Sequence, residues 1–317
     1  MGSFEGFSKL QKRFEASKEE SRKLRRTVYS REDWKRHRSS ARYFKELRKM
    51  PRSIVLRGLT LQALGVALTS ATFVVYNLLV EHRVLPSLPL MTLPLQPFSL
   101  TSPSLGLLLV FRTNAAYARW KDARSTWGVV SAKSFDLMRQ AVHWLPDPAA
   151  VAEMARHTVA FNKCLYWELT HKGRDARLER DLGGVMTAQE TAAIMASPSK
   201  SKYILMRLTK IIMKHMDKRQ QNHMDKSIMS LSTCIEQCDV LASTPIPLVY
   251  TRHTCRFLLL WLLTVPMALY PEFPLNKKLL VPVISFLTSI FLFGIEDLGV
   301  QIEEPFTILP LANICHN

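Results

Sequence analysis

Glycine is scarce, at 11 of 317 residues, and the 17 prolines show no period, which excludes collagen-like and low-complexity chains. Cysteine is scarce too: five residues, an odd number without paired spacing, argue against a disulfide framework. The third shortfall is acid, with 26 Asp+Glu against 43 Lys+Arg and a net charge of +17. No phosphate loop, Gly-rich dinucleotide fingerprint or HExxH is present. Cys234 and Cys238 have no second pair at zinc spacing and read as core thiols of a helix. His215 and His223 share a face of a basic helical pattern, but no carboxylate or Cys completes a metal site, so they read as surface or packing histidines. Ser, His and Asp are scattered without a defensible constellation, and no enzyme is expected. The first residues carry Glu5, Lys9, Lys12 and Arg13 where a secretory leader needs an apolar core, and Gly6 stands where a myristoylation signal wants Ser or Thr, so neither is expected.

Apolar length is what the chain does have. Residues 59–80, 84–111, 257–271 and 279–295 form uncharged runs of 22, 28, 15 and 17 residues. A bilayer core needs about 20 apolar residues per helix, so an integral membrane protein is expected. The runs form two pairs, each with a short link, so each pair crosses and returns. The flanking blocks 1–57 and 112–256 carry 18 basic against 7 acidic and 22 against 13, and residues 257–317 carry 2 against 5. Both basic blocks then fall on one side, as the positive-inside rule requires, and that side is cytosol or its equivalent, such as a plastid stroma. Topology accounts for the charge, and no nucleic-acid partner is expected.

Along the chain, Phe7, Leu10 and Phe14 sit at helical spacing among cations, as in a segment lying on an anionic membrane or in a solvated tail. Residues 30–50 read as one helix capped by Ser30 with Asp33 in its first turn and ended by Pro51. Arg57 stands at the entry of the first span, where it can snorkel, and Gly58, Ala63, Gly65, Ala67, Ser70 and Ala71 offer close helix packing. Pro86, Pro89, Pro94, Pro97 and Pro103 cannot share one helix with the rest of the second run, so that span is broken and one piece faces a pore or pathway. Residues 112–144, 149–172 and 199–243 read as long helices, with a connection holding at most one short helix over 175–197. The third span follows Thr244–Pro247, with a kink at Pro266.

Phe111-Arg112-Thr113-Asn114-Ala115-Ala116-Tyr117-Ala118-Arg119-Trp120, followed by Asp122, Arg124, Trp127 and Gly128, resembles the F-R-x-N-x-x-Y-x-R-W signature of bestrophin-type anion channels. The stretch Trp34–Ser39, the piece Pro247-Leu248-Val249-Tyr250-Thr251 and the run Gly294 to Phe306 carry the same resemblance in order, over roughly residues 30–306. The likeness is strongest to the plant thylakoid branch, the voltage-dependent chloride channels. It implies an all-α membrane protein with four transmembrane segments per subunit, a helical extramembrane domain and a homopentamer around one central pore. It also implies residence in the thylakoid membrane with N-terminus, helical domain and C-terminus on the stromal side, and charge compensation that adjusts proton motive force.

The resemblance places a pore neck of residues four apart just before the motif, which here are Pro103, Leu107 and Phe111 on one helical face. Ordinary packing is the competing role for these three. Arg112, Asn114, Arg119, Trp120 and Arg124 open the stalk beyond. The arginines either raise anion concentration at the mouth or pair with Glu296, Asp297, Glu303 and Glu304, the second role being expected of Arg119 and Arg124. The basic stretch 200–226 lines a vestibule or is a solvated face. Animal relatives follow Pro-Phe with acidic residues that clasp calcium, whereas Pro305-Phe306 leads to Thr307-Ile308-Leu309-Pro310, so no calcium site and no cofactor are expected. No regular Arg series marks a voltage sensor, which leaves pore ions or the basic N-terminal segment as origins of voltage dependence. The expected organisation is residues 1–53 as basic N-terminal segment, 54–111 as first transmembrane pair with the neck, 112–250 as helical domain, 251–295 as second pair and 296–317 as acidic junction and tail. The expected function is chloride and small-anion conduction by a lipid-embedded homopentamer, with a secondary anion transporter as the alternative.

Overall fold

The computed structural model describes residues 28–49, 54–85, 87–170 and 175–311, and all regular structure among them is helical. The amphipathic segment at 7–14, Pro51 and Pro86 lie outside the described residues. The chain divides into two units: Tyr29–Ala118 with Ile246–Glu303, and Arg119–Pro245 with the residues from Glu304 on.

In the first unit, α1 (Arg31–Arg38) and α2 (Arg42–Lys49) replace the single helix expected over 30–50. Ser30 and Asp33 form a capping box, which fixes where α1 starts. Ser39 is extended and stops it one turn before the apolar residues of α2. α3 (Ile54–Glu81), α10 (Leu248–Leu269) and α11 (Leu280–Glu303) pack against one another. α3 buries Leu59, Ala63, Val66, Ser70, Val74 and Asn77, one stripe at steps of three or four. Of the six small residues expected at helix contacts, Ala63 and Ser70 are in that stripe, and Gly65 faces open space instead. The Ser70 and Ser285 hydroxyls meet at 3.3 Å between α3 and α11. Leu68, Leu260, Leu287 and Phe291 remain exposed, as lipid-facing positions do. At the end of α3, Glu81 pairs with Lys278 at 2.5 Å, and the Lys278 ammonium lies 3.9 Å from the Tyr270 ring centroid.

Among the described residues, three helical stretches are long and apolar enough to cross a membrane: Leu56–Glu81, Lys218–Glu272 and Leu280–Glu303. The second apolar run is not a fourth such helix. It stays non-helical to Leu95 and enters α4 (Gln96–Trp144), whose first turns are diluted by Ser99, Thr101, Ser102 and Ser104. Several backbone groups of the non-helical part bond to the rest of the protein. Asn77, fully buried, donates to the Met91 carbonyl at 3.0 Å and accepts from the Met91 amide at 2.8 Å. Tyr76 donates to the Pro89 carbonyl at 2.9 Å, and the Leu93 amide to the Met267 carbonyl at 3.2 Å. Irregular backbone in a lipid environment needs such partners. Pro97 sits in the first turn of α4, where a missing amide costs nothing, and Pro103 is within it. The Ser99 carbonyl that Pro103 cannot bond accepts the Ser102 hydroxyl at 3.3 Å.

The second unit combines the later part of α4 with α5 (Pro148–Thr170), α6 (Asp175–Gly183), α7 (Ala188–Met195), α8 (Lys200–His215) and α9 (Lys218–Ser243). The connection over 175–197 thus holds two short helices rather than one, and Thr187 with Glu190 caps the second by a capping box. The single helix expected over 199–243 is broken at Met216–Asp217, because Asp217 and Gln220 form another capping box that starts α9. His215 and His223 therefore stand on different helices, and His223 meets the Trp144 ring edge-on at 6.2 Å. Glu168 of α5 accepts from the Lys200 amide at 2.8 Å and the Ser201 hydroxyl at 2.5 Å, capping α8 where Ser199 does not. Trp127, Met154, Phe161, Leu208 and Leu231 form the core. Cys164, Cys234 and Cys238 are buried in it as thiols, and burial together with the nearby Glu168 charge pushes Cys164 up to about 12, too high for a reactive thiolate.

Candidate functional site

α4 buries Leu105, Leu109, Arg112 and Ala116 within the first unit. A helix that buries these steps must turn positions 103, 107, 111 and 114 the other way. Pro103, Leu107, Phe111 and Asn114 are indeed exposed, with Leu107 at 54% and Phe111 at 55%. Two exposed apolar side chains one turn apart, on a helix whose opposite side is locked in, make a surface that no described residue covers.

What locks the other side is polar. The Arg112 side chain is 2% exposed, and its guanidinium pairs with the Glu296 carboxylate of α11. It also reaches Cys255 Sγ of α10 at 3.5 Å, and the Cys255 thiol donates to the same carboxylate at 3.2 Å. Gly299 lies against the same side chain: a Cβ there would stand 3.6 Å from Arg112 Cγ and Nε, at van der Waals contact. The Tyr250 hydroxyl of α10 donates to the Leu108 carbonyl at 3.0 Å, beside Leu107. Two helices, α10 and α11, thus fix the rotation of α4 about its own axis at the motif. Beside this cluster, Gln62, Gly65, Thr69, Cys255, Phe293 and Glu296 line a cleft of about 530 Å³.

The acidic quartet is divided among separate tasks. Glu296 holds Arg112, and Asp297 accepts from the Gln301 amide. Glu303 accepts from the Ile246 amide at 3.0 Å, at the entry to α10, and Glu304 begins the second unit's last segment. Arg112 pairs with the quartet through Glu296. In the second unit, Arg119 donates to the Leu241 and Thr244 carbonyls at 2.6 and 2.7 Å, closing the C-terminal end of α9. Trp120 packs on the core, and the exposed Arg124 lies along α4 with its guanidinium 3.5 Å from the place of a Cβ on Gly128. Trp127 donates to the Leu311 carbonyl at 3.2 Å, and Phe306, Leu309 and Leu311 are buried in the same core. The segment after Pro305-Phe306 therefore supplies apolar packing. Among the described residues, no cluster of three His, Cys, Asp or Glu side chains stands at metal-binding geometry.

Residue patterns alone gave no sign of Tyr250 as a partner of α4, although it lies inside the Pro247–Thr251 piece, nor of the paired role of Cys255. Asn77 was equally silent, and its one visible signal was a lone amide side chain in an uncharged span.

Comparison with known proteins bears on this geometry. A family model described as Bacterial/Fungal Bestrophin protein matches residues 33–317. The chain is 32% identical over 304 residues to voltage-dependent chloride channel 2, chloroplastic, of Arabidopsis thaliana, covering 94% of this chain and 72% of that one. It is 30% identical over 231 residues to the voltage-dependent anion channel-forming protein YneE of Escherichia coli K12, covering 70% and 73%. Among solved structures, a bacterial bestrophin homologue from Klebsiella pneumoniae aligns with a TM-score of 0.71 at 25% identity, over 81% of this chain and 95% of that one.

Proposed function

We propose, from the premise that the chain belongs to the bestrophin family, that it forms an anion-selective membrane channel. The observation that carries the proposal is the uncovered face of Pro103, Leu107 and Phe111, opposite a buried polar lock. In a homopentamer with α4 nearest the axis, each of these becomes a ring. Apolar rings restrict a pore by dewetting, and the positive edges of five Phe111 rings favour a passing anion over a cation. Each subunit crosses the membrane four times, the second crossing being made by the non-helical segment before Gln96 and the start of α4 together. Asn77, Tyr76 and the Met267 carbonyl make such a crossing compatible with lipid, because they satisfy its backbone.

The channel passes chloride and other small monovalent anions. Its voltage dependence and its place in a chloroplast membrane are inferred from the names of its plant relatives. On that reading it sits in the thylakoid membrane with both termini and the helical unit in the stroma, and compensates charge as protons are pumped. Calcium has no part in gating, since the segment after Phe306 is committed to apolar packing. The surplus of cations in residues 112–256 raises the anion concentration at that mouth.

Recording from purified protein in a planar bilayer under asymmetric chloride tests the proposal. Unitary currents reversing near the chloride equilibrium potential are expected. Reversal at the cation potential refutes anion selectivity, and chloride flux that saturates without unitary steps favours the transporter reading.

A further inference from the structure

The segment before the first membrane helix carries a feature that conduction does not use. Along α1, Arg31, Lys35 and Arg38 follow one another at steps of four and three, and with Trp34 they line a hollow of about 410 Å³. Trp34 is also one of three mutually packed rings: it lies 5.0 Å from Tyr29 and 5.9 Å from His37, and those two are 5.9 Å apart. The rings hold the Trp34 indole as a wall of the hollow, although half of the residue is exposed. Asp33 is occupied by Ser30 and by Arg36 at 3.9 Å. Among the described residues, no carboxylate stands within 4 Å of Arg31, Lys35 or Arg38. The hollow is therefore a cationic, aromatic-walled site with no counter-ion among the described residues.

α2 adds an apolar face. Tyr43, Phe44 and Leu47 occupy one side of it, and all three are exposed, Phe44 by 80%. Arg42 ties α2 to α1 through the His37 carbonyl at 3.3 Å and lies over the Tyr43 ring. Five residue steps separate Lys49 from Ile54, where α3 begins, so the chain can carry α2 no more than about 18 Å from the start of a membrane-crossing helix. Trp and Tyr with Arg and Lys at that depth are the composition of a membrane interface, where aromatic rings sit at headgroup level and cations meet anionic lipid.

We propose that the hollow of Arg31, Trp34, Lys35 and Arg38 seats the phosphate or sulfonate headgroup of an anionic lipid while Tyr43, Phe44 and Leu47 enter the acyl boundary. Charge argues for lipid over a second copy of the chain. A copy carries +17, with 43 Lys+Arg against 26 Asp+Glu, and so repels a cationic hollow at long range. An anionic leaflet supplies both the charge and the apolar layer that the two helices lack. The proposal rests on the membrane reading alone and stands whether or not the protein conducts.

The test uses the full chain reconstituted in bilayers of fixed phosphatidylcholine and phosphatidylglycerol content, with bromines on the acyl chains of one lipid or the other. The difference in fluorescence quenching between the wild type and Trp34→Phe isolates Trp34. Quenching by brominated phosphatidylglycerol is expected to exceed that by brominated phosphatidylcholine several-fold. The preference should fall to parity in the triple variant Arg31→Gln, Lys35→Gln, Arg38→Gln. It should also fall to parity in the wild type at about 1 M salt, where screening acts without any change of sequence. Equal quenching by the two lipids in the wild type at low salt overturns the proposal. So does absence of Trp34 quenching by either lipid, the result if a second subunit covers the hollow. Loss of the preference on adding millimolar inorganic phosphate would assign the hollow to free anions and overturn it as well.

Discussion

Arg112 and Phe111 are neighbours in sequence and about 100° apart around α4, so the burial of one sets the exposure of the other. That link can be measured by a double-mutant cycle on Arg112→Met, Glu296→Met and the pair. Removing one partner of a buried ion pair costs about 3–5 kcal/mol, because the other charge is left without compensation. The two singles are not equivalent here. Glu296→Met strands a cation on a side chain 2% exposed, whereas Arg112→Met strands a carboxylate that is 17% exposed, borders the cleft and keeps the Cys255 thiol as a donor. Glu296→Met should therefore lie at the upper end of that range and Arg112→Met at or below its lower end. The double variant places two thioethers of similar volume where the pair was and should recover most of the loss, giving a coupling of about 4–6 kcal/mol. At roughly 2 °C per kcal/mol for a chain of this size, Glu296→Met lowers the melting temperature of the detergent-solubilised protein by about 8–10 °C and the double variant by no more than about 4 °C. Additive losses in the cycle would refute the lock, and a milder effect of Glu296→Met than of Arg112→Met would refute the burial argument. Unitary current in the same variants shows whether the lock matters to the pore: both singles should lose or destabilise conduction, since a loosened α4 can rotate Phe111 away from the axis.

Phe111→Ala and Leu107→Ala remove exposed side chains, so the melting temperature should stay within about 1 °C while unitary conductance rises several-fold at the wider neck; a large melting shift with unchanged conductance would instead make these packing residues. Asn77→Ala removes two hydrogen bonds from a fully buried side chain to the Met91 backbone, and at about 0.5–1.5 kcal/mol each their loss should destabilise the protein by about 1–3 kcal/mol, read as a lowered thermal midpoint; no shift at all would mean that the segment before α4 is held by other contacts. Removing calcium with a chelator should leave open probability and conductance unchanged in the planar bilayer, and abolition of the current would show that carboxylates elsewhere bind the ion.

The helical architecture was legible because its signals repeat. Four uncharged runs announce apolar helices, and the prolines at 89, 94 and 97 announce that the second run cannot be one rod. The uncovered face of Pro103, Leu107 and Phe111 follows from spacing once the buried side of α4 is known, but spacing alone does not say which side that is. Arg112 decides it, and a basic residue at the end of an apolar run reads equally well as a solvated mouth. Its burial rests on Glu296, 184 residues away, and on Cys255. None of these contacts is local, so no period or cap records them. The breaks at Ser39 and at Asp217 are a different kind of miss, since Asp217 and Gln220 stand three apart as a capping box in plain view. There the apolar period continued across the break and hid it, because Leu208, Ile212 and Met224 all reach one core from two helices. The same reasoning explains why the motif around α4 was informative before any geometry was. It gathers the exposed Phe111, the locked Arg112 and the carbonyl-binding Arg119 into nine residues, with the two arginines seven apart on one side of the helix and Phe111 about 100° away from Arg112.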